Sequence, residues 1–191
     1  MIHRLVSLRT NIVVLLILTL IAAAEPAVAE ERMALDEDVY LAIAKLMETT
    51  PAAKELAGEA KGILVFPNIV KAGFIVGVQY GGGALVRGSP ESGYYITDHY
   101  GIAAASYGLQ AGVQSFGYAL MLMTDTAVRH VETSSGWEFG SGPSIVFVDA
   151  GMAKTLTTKT AKKDIYAFTF GQKGLMAGLA LGAAKVTKLE D

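Results

Sequence analysis

Apolar residues between positions 35 and 48 recur every three or four residues, a spacing that places them on one face of a helix. The residues in this stripe are Leu35, Val39, Ile43 and Leu46. Thr50 and Pro51 then suit the N-cap and the first position of a second helix over 52–60, and Gly62 ends that run. The pattern therefore predicts two short helices before residue 63.

From residue 63 onward, runs of Val, Ile, Phe and Tyr are separated by glycine-rich segments, which is typical of short antiparallel strands. The predicted strands are Ile63–Phe66, Phe74–Tyr80, Gly83–Arg87, Tyr94–Thr97, two strands over Ala103–Met123, then Trp137–Phe139, Ile145–Val148, Ile165–Phe170 and Leu175–Val186. Ser89–Gly93 reads as a turn, because proline fixes one dihedral angle and glycine accepts a left-handed one. Gly81–Gly83 is also predicted to be a hairpin turn, since no Gly-Lys-Ser/Thr follows it as in a phosphate-binding loop.

Glycine inside a strand marks a bulge, a bend or a close approach of another chain segment, and many of the predicted strands contain it. A further short helix is predicted after Thr124, whose hydroxyl can cap it. We therefore expect an α+β domain in which two N-terminal helices pack on a strongly curved, glycine-rich antiparallel β-sheet, with a barrel-like closure as one form of that curvature.

The N-terminal segment has the features of a signal peptide. Arg4 and Arg9 precede a thirteen-residue run, 12–24, that is apolar apart from one threonine. A membrane-spanning helix needs about 20 apolar residues, so the run is short for an anchor. Small residues ending at Ala29 suit signal peptidase, and residues 1–29 are predicted to be cleaved after that position. A retained anchor is the alternative. We expect export to the periplasm, to the envelope surface or out of the cell.

The net charge and the absence of cysteine exclude several classes of function. Residues 1–29 hold two of the 16 basic and one of the 18 acidic residues, which leaves 14 and 17 in the 162 residues after them. Residues 30–191 are long enough for a single domain with its own core. A slightly acidic chain lacks the basic footprint of nucleic-acid binding. With no cysteine there is no disulfide and no thiol nucleophile.

Candidate catalytic groups are few. After the signal peptide the histidines are His99 and His130, and their spacing does not suit a metal site. His99 follows Asp98 in a predicted turn and is interpreted as a surface residue, whereas His130 lies near the end of a predicted helix in a structural role. Ser141 lacks the Gly-x-Ser-x-Gly frame of a nucleophile elbow. We therefore expect no enzymatic activity, no cofactor and no metal.

Two groups of residues are candidates for binding lipid. In a strand, Gly174, Met176, Gly178 and Gly182 share one thin, apolar face that leaves room for an acyl chain, although ordinary core packing is the alternative. The second group consists of cations, which would form a rim for anionic headgroups if they converge: Lys61, Lys71, Arg87, Lys154, Lys159, Lys162 and Lys163. A solvated loop explains the last four of these with no further assumption.

Short motifs in order along the chain resemble the SYLF domain. They are AKGILVFP at 60–67, KAGF at 71–74, QYG at 79–81, YGLQAG at 107–112, FGYAL at 116–120, MTD at 123–125, GWE at 136–138, GPS at 142–144, DIYAF at 164–168 and QKGLMAG at 172–178. The resemblance extends over about residues 35–191. It implies binding of phosphoinositides or other acidic lipids, and eukaryotic members also bind actin beside an SH3 or FYVE module.

We expect no second module in this chain. An exported, bacterial-looking protein would meet neither actin nor phosphoinositides, so the resemblance implies only the general affinity for lipid. The family provides no catalytic residues. We expect a non-enzymatic, lipid-binding protein of the cell envelope whose partner is an acyl chain, an anionic phospholipid or a membrane surface. The alternative is a structural or assembly protein that self-associates into a homo-oligomer or binds a protein partner.

Overall fold

The structure is a computed structural model that describes residues 29–149, 151–174 and 184–190. The chain divides into two compact units, Met1–Glu37 and Asp38–Asp191. In the first unit the described residues are helical throughout. The second unit contains the remaining helices and the β-sheet, and it holds every side chain discussed below.

Two helices precede the sheet. Helix α1 covers residues 29–49, so it already includes positions before the predicted start, and α2 is Pro51–Ala57. Thr50 has the extended dihedral angles of an N-cap and Pro51 occupies the first turn, as predicted. Both helices bury their apolar faces. In the second unit these buried residues are Val39, Ala42, Ile43, Leu46, Ala52, Ala53, Leu56 and Ala57.

Two very long antiparallel strands, β1 (Gly62–Ser89) and β2 (Gly93–Leu122), form a ribbon. The ribbon runs from Gly62 opposite Leu122 to Ser89 opposite Gly93, and the predicted turn joins its strands. The prediction of several short strands over this part of the chain is therefore wrong in its boundaries, although each predicted strand lies inside the ribbon. The predicted turn at Asp98 and His99 is also wrong, because both residues pair with β1.

The prediction of a hairpin turn at Gly81–Gly83 is wrong as well, because these glycines lie inside β1 opposite Ile102, Gly101 and Tyr100. Their role is close packing. A Cβ on Gly83 would collide with the carbonyl oxygen of Val65 and with the Phe66 ring. The second half of β1 thus packs directly on its own first half, and glycine provides the space.

The fold-back of β1 is centred on a bulge between Phe74 and Val76. Ile75 has a φ of 67°, which is rare for a β-branched residue. A Cβ on Gly73 would collide with the backbone of Gly77 across the inside of this bend. The ribbon therefore turns sharply at Ile75 while β1 and β2 remain paired on either side of it.

Helix α3 and four shorter strands complete the domain. They are α3 (Asp125–Thr133), β3 (Trp137–Glu138), β4 (Ile145–Val148), β5 (Ile165–Gly174) and β6 (Lys185–Lys188). The sheet order is β3-β6-β2-β5-β4, with β1 on β2. The hydroxyl of Thr124 caps α3 by accepting from Ala127 N at 3.2 Å, as predicted.

The described sheet is antiparallel except where β4 pairs in parallel with β5. It curls into a half-barrel, and helices pack on it, so the expected α+β domain with a curved sheet is confirmed. Its core joins side chains from both long strands, β5, β6 and α3. The largest fully buried residues in this core are Tyr100, Tyr118, Phe66, Phe116, Ile69, Leu64, Leu85 and Leu120.

Candidate functional site

Three lysines from two distant chain segments line one groove of about 570 Å³. Lys61 directly precedes β1, whereas Lys162 and Lys163 belong to the loop before β5, and all three side chains are exposed. Glu59 is the one acid among the lining residues. The remaining lining residues are Gly58, Ala60, Met123, Thr124, Thr158 and Ala161. The groove is thus a cationic depression with a partly apolar wall.

The backbone at Lys61 is held by the start of the ribbon. Lys61 N donates to Leu122 O at 2.7 Å, which extends the β1–β2 ladder by one residue. The guanidinium of Arg87 donates to Lys61 O at 2.8 Å. With its amide and carbonyl both bonded, Lys61 projects from a fixed point at the edge of the groove.

The backbone of the lysine pair, Lys162 and Lys163, is held by a buried tyrosine. The hydroxyl oxygen of Tyr166 accepts from Lys162 N at 2.9 Å and from Lys163 N at 3.3 Å. Further along the same loop, Thr158 N donates to Glu55 Oε1 of α2 at 3.1 Å. These bonds order the loop and bring it against the helix that carries Gly58 and Glu59 at its end.

Asp164 fixes the end of this loop. Its carboxylate accepts from Ser144 Oγ at 2.7 Å, from Ser144 N at 3.0 Å and from Thr124 Oγ1 at 3.1 Å. The hydrogen bond from the Ser144 hydroxyl is the largest of the effects that lower the pKa of Asp164 below its usual range, because it stabilises the ionised carboxylate. One carboxylate thereby connects the lysine loop, the start of α3 and the segment before β4.

The other cations predicted for the rim lie elsewhere, so the expected convergence is only partial. Arg87 forms an ion pair with Glu132 at 2.6 Å, although it remains next to Lys61 through the hydrogen bond described above. Lys71 is only 3% exposed and lies on β1 opposite Gln114. Lys154 and Lys159 are exposed in the same loop segment but do not line the groove.

Most of the predicted thin apolar face lies outside the described residues. Gly174 is the last residue of β5 and pairs with Gln114. Met176, Gly178 and Gly182 lie outside the described residues. The groove for an acyl chain along this face therefore stays a prediction.

A feature that sequence reasoning missed is the polarity of β1 around its bend. Large apolar side chains at even positions point outward and are exposed, namely Phe74, Val76, Val78 and Tyr80. Apart from Ile75 at the bulge, which is itself exposed, the odd positions from 73 to 81 carry glycine or glutamine. Gln79 is buried there, as is Gln114 on β2, and Gln79 Nε2 and Gln114 Oε1 have no hydrogen-bond partner. The alternation of apolar with glycine or polar residues is visible in the sequence. Because the apolar face of such a strand is normally the buried one, the sequence alone does not predict that these side chains are exposed.

His99 is half-buried in β2 and lines a second groove, of about 600 Å³. Two of the three acids that line this groove form ion pairs: Asp98 with Lys188 Nζ at 2.6 Å, and Glu132 with Arg87. This arrangement holds strand β6 and helix α3 to the ribbon.

The two other residues considered as catalytic candidates, His130 and Ser141, have structural roles. His130 lies in the last turn of α3, and its ring centroid is 5.7 Å from that of Trp137 in an edge-on contact. Ser141 lies in a turn, where its amide donates to Glu138 O at 3.0 Å. Within the described ranges, no cluster of three or more His, Cys, Asp or Glu residues is arranged to hold a metal ion.

Among the described helices, none has the length and apolar character needed to cross a membrane.

Residues 103–191 match the family model described as "Ysc84: Las17-binding protein actin regulator". A comparison with curated proteins gave no match. The family match confirms the SYLF resemblance over that range, which includes most of β2, the loop with Lys162 and Lys163, and strands β3 to β6. The motifs before residue 103 stay a prediction. SYLF domains are binding domains associated with actin and lipid, and the family is not known for enzymatic activity.

Proposed function

From the match of residues 103–191 to the SYLF family model, we propose that the protein is a non-enzymatic lipid-binding protein of the cell envelope. It is exported by the segment over 1–29 and binds anionic phospholipid. The headgroup lies in the groove of Lys61, Lys162 and Lys163, and acyl chains lie on apolar surface of the sheet.

The convergence of the three lysines carries this proposal. Lys61 and the pair at 162–163 are about a hundred positions apart in the chain, yet they line one depression. A phosphate group takes several ammonium donors at once, since each one is a compact point charge that attracts an anion. The volume of about 570 Å³ is in the range of small-molecule sites.

The groove is organised before a ligand arrives. Its lysine loop is bonded through its backbone to Tyr166 and Glu55, so binding orders only the lysine side chains. Pre-organisation of this kind lowers the entropic cost of association. Because the ammonium groups are exposed, each contributes a modest, salt-screened attraction rather than a buried ion pair. We expect moderate affinity that falls with ionic strength.

The apolar part of a lipid has a starting point in the same groove. Ala60, Met123 and Ala161 form its uncharged wall. Met123 directly follows β2, so this wall continues into the core sheet. A headgroup at the lysines would place the first carbons of its acyl chains against these side chains.

Native mass spectrometry of the purified chain, combined with vesicle flotation, tests the proposal. We expect binding of dioctanoyl phosphatidic acid, a soluble short-chain lipid, and flotation with vesicles that contain phosphatidylglycerol. Dioctanoyl phosphatidylcholine serves as the control ligand, because its choline cancels the charge of the phosphate. Absence of both lipid retention and flotation would contradict the proposal.

A second candidate function is a structural or assembly role in the envelope through self-association. The large exposed apolar side chains around the bend of β1 favour it, since exposed patches of this kind mark interaction sites. Light scattering with and without lipid separates the two functions. A stable oligomer whose mass does not change with lipid supports the assembly role.

A further inference from the structure

The bend of the ribbon projects a group of large apolar side chains from the domain, which we name the apex: Phe74, Ile75, Val76 and Val113. Phe74 is 76% exposed and Val113 is 60% exposed. Val113 pairs with Ala72, one diagonal step from Phe74, so the two side chains lie on one face of the ribbon. Val78 and Tyr80 extend this face along β1.

The exposed residues of the ribbon around the apex carry no charge, and the nearest charged residue on β1, Lys71, is buried. Between Ala72 and Val86, and again between Tyr100 and Thr124, the sequence has no Asp, Glu, Lys, Arg or His. A charge carried into hydrocarbon costs several kcal/mol, and an apex without charges avoids this cost. The backbones on both sides of the bulge are paired, with Phe74 opposite Ala111 and Val76 opposite Tyr107, and Ile75 lies in the bulge between these pairs. Backbone groups bonded in this way tolerate a medium without water.

The polarity of the ribbon is inverted relative to a strand pair that faces water. Its polar side chains, Lys71, Gln79 and Gln114, are buried on the inner face, whereas the outer face is apolar and exposed. Strands that face lipid show this apolar-out, polar-in alternation. A ribbon that met only water would gain by the opposite arrangement.

Two cations, Lys45 and Lys173, lie on the elements next to the apex. Lys173 of β5 pairs with Ser115, two residues along β2 from Val113. Lys173 and Lys45 of α1 line a small depression of about 320 Å³ beside Ser115, where Asp38 is the one acid. The apolar apex matches the hydrocarbon layer of a bilayer, and the neighbouring lysines match its anionic headgroup layer.

We propose that the apex inserts into the hydrocarbon layer of an anionic membrane, with Lys45 and Lys173 at the headgroups. This proposal rests on the proposed lipid-binding function and adds the surface by which the protein docks on a bilayer. The strained backbone of Ile75 sets the sharp bend that directs Phe74 and Val76 outward together.

The absence of cysteine permits a direct test. A single Phe74→Cys substitution carries an environment-sensitive fluorophore at the apex. The matched control is Tyr95→Cys, because Tyr95 is 59% exposed and lies beside the hairpin turn at Ser89–Gly93, where the ribbon ends, and not at the bend. Both labelled proteins are mixed with vesicles of phosphatidylglycerol and phosphatidylcholine, with and without a quencher attached to the acyl chains. We expect a blue shift and quenching at position 74, and neither at position 95.

An unlabelled pair of variants measures the energetic effect. Phe74→Ser removes the largest apolar side chain of the apex, and we expect vesicle affinity to fall about tenfold or more. Tyr95→Ser leaves vesicle affinity unchanged. Both variants retain binding of dioctanoyl phosphatidic acid, because neither position lines the groove of Lys61.

The outcomes separate the two proposals. Vesicle binding without a response at position 74, or with equal responses at both positions, overturns the apex proposal and leaves lipid binding intact. A blue shift at position 74 without lipid, together with a dimer in light scattering, assigns the apex to a second copy of the chain and also overturns it. Loss of all binding, to vesicles and to soluble lipid, removes both proposals.

Discussion

Lys162 and Lys163 allow the lysine groove to be tested with little risk to the fold. Both side chains are exposed, and the bonds that order their loop come from backbone amides that a substitution leaves in place. An ammonium about 4 Å from a phosphate charge in water contributes about 1 kcal/mol. The double variant Lys162→Gln, Lys163→Gln should therefore lose about 2 kcal/mol, which is about a 30-fold weaker affinity for dioctanoyl phosphatidic acid.

The matched control is Lys154→Gln, Lys159→Gln. It removes the same net charge from the same exposed chain segment, but neither residue lines the groove. Titration calorimetry at low and at physiological ionic strength measures both variants against the parent protein. We expect the control to lose much less affinity than the groove variant, because neither of its lysines lines the groove and exposed charges are screened at physiological salt.

Equal losses in both double variants would refute the reasoning, since the lipid would then respond to the total charge and not to the groove. An unchanged affinity in the groove variant would refute it as well. Circular dichroism of each variant provides the fold control.

Further predictions concern the fold around the ribbon and the loop. Gly83→Ala should destabilise the domain by about 2 kcal/mol or more, because its methyl group collides with Val65 O, whereas Gly58→Ala, with nothing nearer than 3.7 Å, should be tolerated in thermal denaturation. Ile75→Gly should raise stability by about 1 kcal/mol in urea unfolding, because it relieves the left-handed φ of 67°. Asp164→Asn should lower stability at pH 7. Since the folded pKa of Asp164 is lowered, the carboxylate stabilises the fold above its unfolded pKa of about 3.9, and this contribution is lost as pH falls through the folded value, so parent and variant should converge in acid unfolding.

Local signals in the sequence were sufficient for the helices and for the turn at Ser89–Gly93. An N-cap such as Thr124 acts on the amide groups of the very next residues, so its effect can be predicted without knowing the fold. Strand boundaries are different. Gly81–Gly83 has the composition of a turn, but its conformation is set by Val65 and Phe66, which pack against it from the other half of β1. That contact exists only in the folded sheet.

The residue types of the candidate site could be predicted from the sequence, but which of those residues lie together could not. Residue type alone selects Lys61, Lys162 and Lys163 as phosphate ligands, but it selects Lys71 equally, and only the fold shows that Lys71 is buried inside the ribbon. The position of the lysine pair depends on Tyr166, whose hydroxyl accepts from both amides. No sequence spacing encodes this bond, because it depends on how the loop closes onto β5.

The glycines of β1 and its exposed apolar residues have one common explanation. No Cβ fits at positions 73 and 83, because Gly73 lies against the backbone of Gly77 and Gly83 lies against Val65 O and the Phe66 ring. The large residues that alternate with them cannot enter that space, so Val76, Val78 and Tyr80 must face outward. In water this exposure is unfavourable by about 25 cal/mol for each Å² of apolar surface, and a membrane removes that cost. The same alternation therefore produces both the bend and the surface that we propose enters the bilayer, and a Gly83→Ala variant that still folds should lose vesicle binding together with the bend, while its groove continues to bind soluble lipid.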